Sequence, residues 1–479
     1  MSFYHGCKTL PRRFRLVLSS FLQRDGLPFG DSLPEEEIQQ AFDAEGVSHW
    51  SGTEGEAEDT VYTPAVTLWA FLSQMLHRGE QRSCTAAVAR VAVLWVALGR
   101  PRCSGNTGAY CRARAKLPEN VLRRLTCDVA ESCQQEAPSA WLWHGRHVKL
   151  VDGTTVSMPD TDANQTEYPQ QKVQKPGLGF PIVRMVVLFS LATGMLCDMA
   201  IGPYEGKETG EPALFRELLE RLEPGDIVLG DRYYCSYFMI AMLMELGVDF
   251  VVRLHQARTA DFRRGCHLGQ GDHVVTWIRP VRPDWMDRET YDLMPKSIEI
   301  REVLVQVDQP GFRTKSLVVV TSLCDAEEHA AEEIAALYRG RWLAELDIRA
   351  IKITLDMDVL RCKTPEMVRR EVWTHLLAYN LVRRTILQSA LASGFSPREL
   401  SFTAAMQAIA ASWAIAALLD TDTFTSLVDT HLTNLAGHRV GHRPDRVEPR
   451  AVKRRPKPHR LLSKPRAEAR AELLVGAST

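Results

Sequence analysis

The sequence lacks the signals of several common protein classes. Its 479 residues contain no P-loop and no G-x-G-x-x-G segment, so chemistry that depends on a bound nucleotide has no support. The eleven cysteines never occur as C-x-x-C, which argues against a zinc ribbon or a disulfide framework and favours a reducing compartment. We therefore expect no nucleotide cofactor.

Long hydrophobic runs are also missing. The first residues, MSFYHGCKTLPRRFRLVLSSFLQRDG, interrupt every apolar run with a charge, unlike a signal peptide. The most apolar later stretch, FTAAMQAIAASWAIAALL (402–419), is rich in alanine and contains Gln407, which favours a buried helix over a membrane span. We expect a cytoplasmic protein without a membrane partner.

The chain has almost no net charge, but its two ends differ. Residues 25–60 contain eleven Asp or Glu and no Lys or Arg, whereas residues 438–470 contain twelve Lys or Arg against three acids. The basic, proline-broken tail, 437–479, includes Lys453, Arg454 and Arg455. A solvated extension is one explanation of this tail, but its clustered cations favour contact with DNA phosphates.

Apolar periodicity divides the rest of the chain. Residues 1–135 are predicted to be a mostly helical domain, a candidate for binding DNA ends, in which the basic connection 100–119 is either a DNA contact or a solvated loop. Residues 136–254 begin with a strand that ends near Asp152, continue with two strands around a turn, and then alternate helices with strands. This order predicts a mixed α/β sheet.

The α/β pattern is interrupted after residue 254 and then resumes. Residues 255–315 have β-rich patterning and are predicted to be an insertion of extra strands. The α/β pattern returns over 316–400, which includes a long helix around Glu345, and residues 401–436 are predicted to be helical.

The stretch YRGRWLAELDIRAIK (338–352) surrounds one glutamate with cations. On a regular helix Tyr338, Arg341, Glu345 and Lys352 fall within about 60° of one another, so all four can contact the same ligand. The alternative is a solvated face on which Arg341 and Glu345 make an ordinary ion pair.

Two aspartates elsewhere in the sequence are candidates to form a site together with this helix. Asp152 and Asp231 each follow a short apolar strand, although a lone aspartate in such a place is often only a turn former or a cap. Together with Glu345 they form an all-oxygen set suited to Mg²⁺ or Mn²⁺. Such ions support phosphodiester chemistry, and the cations on the helix would then bind the flanking phosphates.

These residues resemble a known family. The spacing Tyr, two residues, Arg, three residues, Glu, six residues, Lys is similar to the signature of DDE transposases from bacterial cut-and-paste insertion sequences. LVDGTTVSMPD and GDIVLGDRYYCSY resemble the family's two aspartate strands, with 78 residues between the aspartates and 113 between Asp231 and Glu345. The β-rich insertion before the glutamate helix is also similar.

The resemblance implies an RNase H-like catalytic core, preceded by an N-terminal helical domain and followed by C-terminal helices and the basic tail. It implies that Asp152, Asp231 and Glu345 are the catalytic ligands of Mg²⁺, which Mn²⁺ can replace. It further implies that Tyr338, Arg341, Lys352 and Arg232 contact DNA. Tyr233 departs from the acid or glycine that other members often carry.

Some members of the family flip a base out of the duplex and stack it on a tryptophan of the insertion. Trp277 and Trp285 are the tryptophans of this insertion, and each either provides that platform or packs the strands.

The resemblance thus implies a transposase that cuts double-stranded DNA at inverted-repeat ends, joins those ends to target DNA, and acts as a homodimer on DNA. Two alternatives remain: an RNase H-like nuclease without strand transfer, and a silent, transposase-derived DNA-binding protein.

Overall fold

The computed structural model describes residues 41–44, 61–97, 100–306, 316–413, 415, 419, 421–441 and 463–476. Its first helices are α1 Pro64–Met75, α2 Cys84–Ala97, α3 Thr107–Lys116 and α4 Glu119–Gln135. The predicted loop at 100–119 was wrong over half of its length, because α3 lies inside it. Asn106 caps this helix by accepting a hydrogen bond from the backbone N–H of Gly108 at 2.7 Å, so the polar residues there mark a helix start.

Nine strands within the described residues form one sheet. They are β1 Val148–Ser157, β2 Ile182–Ser190, β3 Leu196–Pro203, β4 Ile227–Gly230, β5 Asp249–Arg253, β6 Cys266–Gly269, β7 Asp272–Ile278, β8 Ser297–Gln306 and β9 Ser316–Thr321. Their order is β3-β2-β1-β4-β5-β9-β8-β7-β6, with β4 and β5 parallel to β1 and the other pairs antiparallel. The predicted mixed α/β sheet is confirmed. The helices between the strands are α5 Asp162–Glu167, α6 Glu211–Arg216, α7 Tyr237–Glu245 and α8 Arg288–Leu293.

The first strand is longer than predicted. We expected β1 to end near Asp152, but it continues to Ser157 because residues 152–157 pair with β2, from Asp152 opposite Val187 to Ser157 opposite Ile182. Pairing with β4 stops earlier, at Leu150 opposite Leu229. Asp152 therefore lies inside an antiparallel ribbon, just past the point where β1 and β4 separate.

Strands β6, β7 and β8 come from the segment predicted to be an insertion. They are not set apart from the core, because β8 pairs with β9 and β9 pairs with β5. The sheet thus runs without interruption from β3 to β6.

The helix predicted around Glu345 is broken, so the prediction of a single helix was wrong. The structure has α9 Ala331–Arg339, α10 Trp342–Arg349 and a π-helical turn, Ala350–Thr354. At the junction the N–H of Gly340 donates to the carbonyl of Leu337 and the N–H of Arg341 to that of Tyr338, which is 3₁₀ spacing. A 3₁₀ turn rotates each residue by about 120°, so Tyr338 and Arg341, three residues apart, still lie on the same side of the chain despite the break.

Further helices follow the π-helical turn. They are α11 Pro365–Ser393, α12 Phe402–Ser412, α13 Thr421–Ala436 and, near the end of the chain, α14 Arg466–Gly476. The central one, α11, is buried along most of its length. Among the described residues, no helix is both long and apolar enough to cross a membrane.

Candidate active site

The two aspartates lie at the same level of the sheet. Leu150 on β1 pairs with Leu229 on the parallel strand β4, and Asp152 and Asp231 each follow two residues later. Adjacent strands are about 4.8 Å apart and residues two apart point to the same face, so both side chains belong to the face of Leu150 and Leu229. This register brings together two acids that are far apart in the sequence.

Asp152 is half-buried and short of partners. Its Oδ1 accepts a hydrogen bond from the N–H of Gly153 at 2.9 Å, and its Oδ2 lies 3.8 Å from Nη1 of Arg341. Burial raises the pKa of Asp152 to about 6, against the opposing effect of Arg341 and the Gly153 N–H, and the nearby carboxylates Glu211 and Glu345 raise it further. The one arginine therefore does not offset the burial of this carboxyl.

Asp231 begins the 3₁₀ turn Arg232–Tyr234, and its Oδ1 accepts from the N–H of Arg232 at 2.6 Å. The alternative explanation of this aspartate was that it caps a turn, and the structure shows such a cap. Capping uses only one of the two carboxylate oxygens, which leaves acceptor capacity for a second role.

Arg341 links the helix to the first aspartate. Its Nη2 donates to Oε1 of Glu345 at 2.7 Å, while its Nη1 faces Asp152. The guanidinium thus lies between two of the three predicted acids. The expected i, i+4 pair is present, but it includes Asp152 as a third member.

Tyr338 and Arg232 lie beside the second aspartate. Tyr338 is buried, and burial raises its pKa to about 12, with Arg341 opposing this and Asp231 adding to it. Arg253 and Arg232 also act on this phenol. Arg232 donates to Oε1 of Gln256 at 3.2 Å, which connects the turn after β4 to the segment after β5.

Lys352 is engaged inside the protein. Its Nζ donates to the carbonyl of Thr155 at 2.8 Å and lies 3.0 Å from Oδ1 of Asp358. These contacts attach the π-helical turn to β1. A role in DNA binding remains a prediction, and it requires at least one of these contacts to be exchanged for a phosphate.

The tryptophans of the insertion are both covered. Trp277 is 6% exposed, donates to Oε1 of Glu302 at 3.3 Å, and has the guanidinium of Arg258 over its ring at 3.7 Å. Trp285 is half-buried beneath Arg216, at 3.9 Å. Both contribute to packing as the structure stands, and their role as base platforms stays a prediction. The predicted DNA contacts Lys453, Arg454 and Arg455 lie outside the described residues.

The residues fit a hard divalent cation by their donor chemistry. The donors are carboxylate oxygens, which Mg²⁺ and Mn²⁺ prefer, and a cation, the guanidinium of Arg341, already lies between two of them. In the described part of the chain, no three His, Cys, Asp or Glu side chains stand as a group able to hold a metal ion. The side chains of the site would therefore have to adjust, beginning with Arg341.

Sequence reasoning missed Glu211 and its neighbours. Glu211 starts α6 and raises the pKa of Asp152, and Tyr234 is buried near Glu211, Asp152 and Asp231. Arg184, on β2, opposes the rise in the pKa of Glu211 that burial causes. The one signal in the sequence was Gly153, whose missing side chain leaves room for Glu211.

The fold and site define a mixed α/β protein with an acidic, arginine-flanked cluster on its sheet. Comparison with known proteins agrees with this class. Residues 143–381, which contain all three predicted acids, match the family model of the transposase DDE domain.

Two relatives extend the comparison. The chain is 29% identical over 299 residues to the transposase InsG of insertion sequence element IS4 from Escherichia coli (strain K12), a match that covers 62% of this chain and 64% of that one. It is 38% identical over 82 residues to the putative transposase InsL of element IS186A from the same organism, covering 17% and 21%. The chain thus spans less than two thirds of the length of these relatives.

A solved structure, the piggyBac transposase synaptic complex with hairpin DNA, aligns over 92% of this chain and 88% of that one. At 10% identity and a TM-score of 0.43, this likeness is too distant to assign the fold. The family comes from the sequence matches: the chain belongs to the DDE transposases of insertion sequences, which confirms the resemblance.

Proposed function

We propose that this protein is a transposase that cleaves double-stranded DNA at inverted-repeat ends and joins the 3′ ends to target DNA, in cut-and-paste transposition. The observation that carries this proposal is that Asp152 and Asp231 follow paired positions on neighbouring parallel strands. Glu345 is linked to Asp152 because both contact Arg341. All of these residues lie in the segment that matches the transposase DDE domain.

The proposed core is RNase H-like. Strands β1 to β5 support it, because the order β3-β2-β1-β4-β5 places three antiparallel strands beside two parallel ones and brings the aspartates of β1 and β4 together. A fold does not define a reaction, so the proposal rests on the site within that fold.

Asp152, Asp231 and Glu345 are the proposed ligands of Mg²⁺, which Mn²⁺ can replace. When bound, two such ions supply activation of a water or a 3′-hydroxyl and stabilisation of the leaving oxygen. No ATP is required, because each step exchanges one phosphodiester or P–O bond for another.

The cations of the site have a separate task in this proposal. Arg341, Arg232 and Lys352 hold the phosphates on either side of the cleaved bond, and Tyr338 supports Arg341 from its buried position. Arg341 fits this task best, since it lies at the acids and its side chain is only partly exposed. Because two ends must be brought together before joining, we propose a homodimer assembled on DNA.

The experiment uses full-length protein and duplex oligonucleotides copied from inverted repeats beside the gene. Asp152→Ala, Asp231→Ala and Glu345→Ala are expected to abolish Mg²⁺-dependent cleavage while retaining binding to the ends in gel shifts. The exposed acid Glu332 provides the matched control, Glu332→Gln, which should cleave like the wild type.

Wild-type cleavage by any of the three alanine variants would overturn the site assignment. Cleavage without strand transfer would instead identify a nuclease. Tight end binding by the wild type, without cleavage in Mg²⁺ or Mn²⁺, would identify a silent DNA-binding protein.

A further inference from the structure

A fourth carboxylate lies beside the proposed metal ligands. Glu211 packs directly across Gly153, the neighbour of Asp152 in β1. A Cβ atom at position 153 would come within 2.2 Å of Cδ and 2.4 Å of Oε1 of Glu211, distances that no side chain tolerates. Glycine at 153 is therefore what allows Glu211 to approach β1 at this point.

Glu211 approaches from the opposite face of the sheet. Asp152 lies on the face of Leu150, against α10, whereas Gly153 lies on the face of Val151, where α6 and Tyr234 pack. The pairing of β1 with β4 ends at Leu150 and Leu229, two residues before each of the two aspartates. Glu211 does interact electrostatically with both of them.

The position of Glu211 is fixed by the loop that precedes it. Arg184 donates to the carbonyl of Thr209 at 2.6 Å and stacks on the ring of Tyr204 at 4.4 Å. These two contacts attach the loop to β2. The same guanidinium supplies the positive charge that acts on Glu211.

A buried hydroxyl is directed at the same place. Tyr234 is 2% exposed, and its ring lies against Gly230, where a Cβ atom would come within 3.0 Å of Cδ2. The hydroxyl has no hydrogen bond of good geometry within the described residues, although Glu211 is close enough to interact with it. A buried hydroxyl without a well-placed partner costs stability unless a ligand or water satisfies it.

We propose that Glu211 and the Tyr234 hydroxyl hold the water ligands of the divalent cation that Asp152 and Asp231 bind. This inference rests on the proposed function. Mg²⁺ gives up its waters reluctantly and is bound by few carboxylates, so acceptors just outside its ligands are part of its site. Glu211 is thus a positioning residue, which acts on the cation through water.

The competing explanation is that Glu211 only pairs with Arg184 and packs on Gly153. A structural role of that kind would change stability on substitution, but it would not change affinity for a metal. A titration of the full chain with Mn²⁺, without DNA, separates the two explanations. Bound Mn²⁺ is measured as the loss of the free Mn²⁺ signal in electron paramagnetic resonance.

Glu211→Gln is expected to weaken Mn²⁺ binding about tenfold, the lower end of the effect of residues that support metal ligands. Glu211→Asp, which keeps the charge, should lie between this variant and the wild type. Glu220→Gln is the matched control, because Glu220 is an exposed acid shortly after α6, and it should leave binding unchanged. Wild-type affinity in Glu211→Gln would overturn the inference.

Tyr234→Phe provides an independent variant that keeps the fold. It removes a hydroxyl that interacts with Glu211 without a well-aligned hydrogen bond, so thermal unfolding should change little while Mn²⁺ binding weakens. Wild-type Mn²⁺ affinity in Tyr234→Phe would also overturn the inference.

A failure of the proposed function can be distinguished from a failure of this inference. If Asp152→Asn and Asp231→Asn bind Mn²⁺ like the wild type, the metal site itself is wrong. If these two variants lose Mn²⁺ and Glu211→Gln does not, only the role of Glu211 is wrong.

Discussion

Two carboxylates on α10, only two residues apart, have opposite surroundings. Asp347 is fully buried, and both of its oxygens accept from arginines: Oδ1 from Arg383 and Oδ2 from Arg398 at 2.6 Å. Glu345 is 38% exposed at its side chain and shares Arg341 with Asp152. A buried acid with two guanidiniums is part of the scaffold, whereas acids that share one guanidinium retain negative charge for a ligand.

The same contrast holds elsewhere in the molecule. Asp198 on β3 is buried and receives Arg123 and Arg221, each with a contact of 2.7 Å. Asp152 has one arginine at 3.8 Å and two carboxylates nearby. The difference between these acids is the number of cations that each receives, and burial alone does not distinguish them.

The largest expected effect is on cleavage, at the exposed member of the α10 pair. Glu345→Gln should lower the single-turnover cleavage rate by at least about 10³-fold, equivalent to about 4 kcal/mol in the barrier, because a neutral amide is a poor ligand for a hard cation. Urea unfolding should change by less than about 1 kcal/mol, since the pair with Arg341 is half-exposed. Retained cleavage would contradict the site.

The buried member should respond in the opposite way. Asp347→Asn leaves Arg383 and Arg398 without a negative partner in the interior, so the free energy of unfolding should fall by about 3 kcal/mol or more. Any loss of cleavage should then follow the loss of folded protein, and cleavage per folded molecule should match the wild type at low temperature. A stable Asp347→Asn protein would show that the two acids are not different in kind.

Sequence reasoning found the members of the site that form local patterns. Arg341 and Glu345 are one helical turn apart, and each aspartate follows an apolar strand, so spacing and strand pattern sufficed. The break at Gly340 was not predicted, although a glycine within a helical pattern is a signal; a Cβ there would lie 2.9 Å from the carbonyl oxygen of Leu337.

The missed features depend on tertiary contacts. Glu211 reaches Asp152 only because the sheet places β2, β1 and the start of α6 together, and no periodicity reports that contact. The extension of β1 past Asp152 was not predicted, because it depends on the pairing of residues 152–157 with β2. The continuation of the sheet through β9 and β8 likewise depends on strand pairing and not on strand pattern.

A smaller effect is expected on the pH dependence of stability, which tests the same contrast between the acids. Raising the pKa of a carboxyl from 3.8 to about 6 costs its charged form at most about 3 kcal/mol. The folded state therefore binds more protons at Asp152 than the unfolded state does between these values, and the contribution of Asp152 to stability rises as the pH falls from about 6 to about 4. Asp152→Asn, which is neutral throughout, should be more stable than the wild type above pH 6.

Urea unfolding with a chelator present measures this difference. The excess stability of Asp152→Asn should be constant above about pH 7 and should shrink by about 1 kcal/mol between pH 6 and pH 5. Asp198→Asn, at an acid with two arginines, is the control and should be destabilised at every pH in this range. An Asp152→Asn protein less stable than the wild type at pH 7.5 would contradict the contrast.

The smallest expected effect comes from the arginine that the acids share. Arg341→Gln removes one half-exposed contact with Glu345 and a longer one with Asp152, so stability should fall by less than about 1 kcal/mol. The matched variant Arg383→Gln removes a buried partner of Asp347 and should cost about 3 kcal/mol or more. Because Arg341 lowers the pKa of Asp152, its loss should also move the pH at which Asp152 titrates upward. Equal losses of stability in Arg341→Gln and Arg383→Gln would mean that Arg341 is a scaffold cation, and its proposed contact with a DNA phosphate would lose its basis.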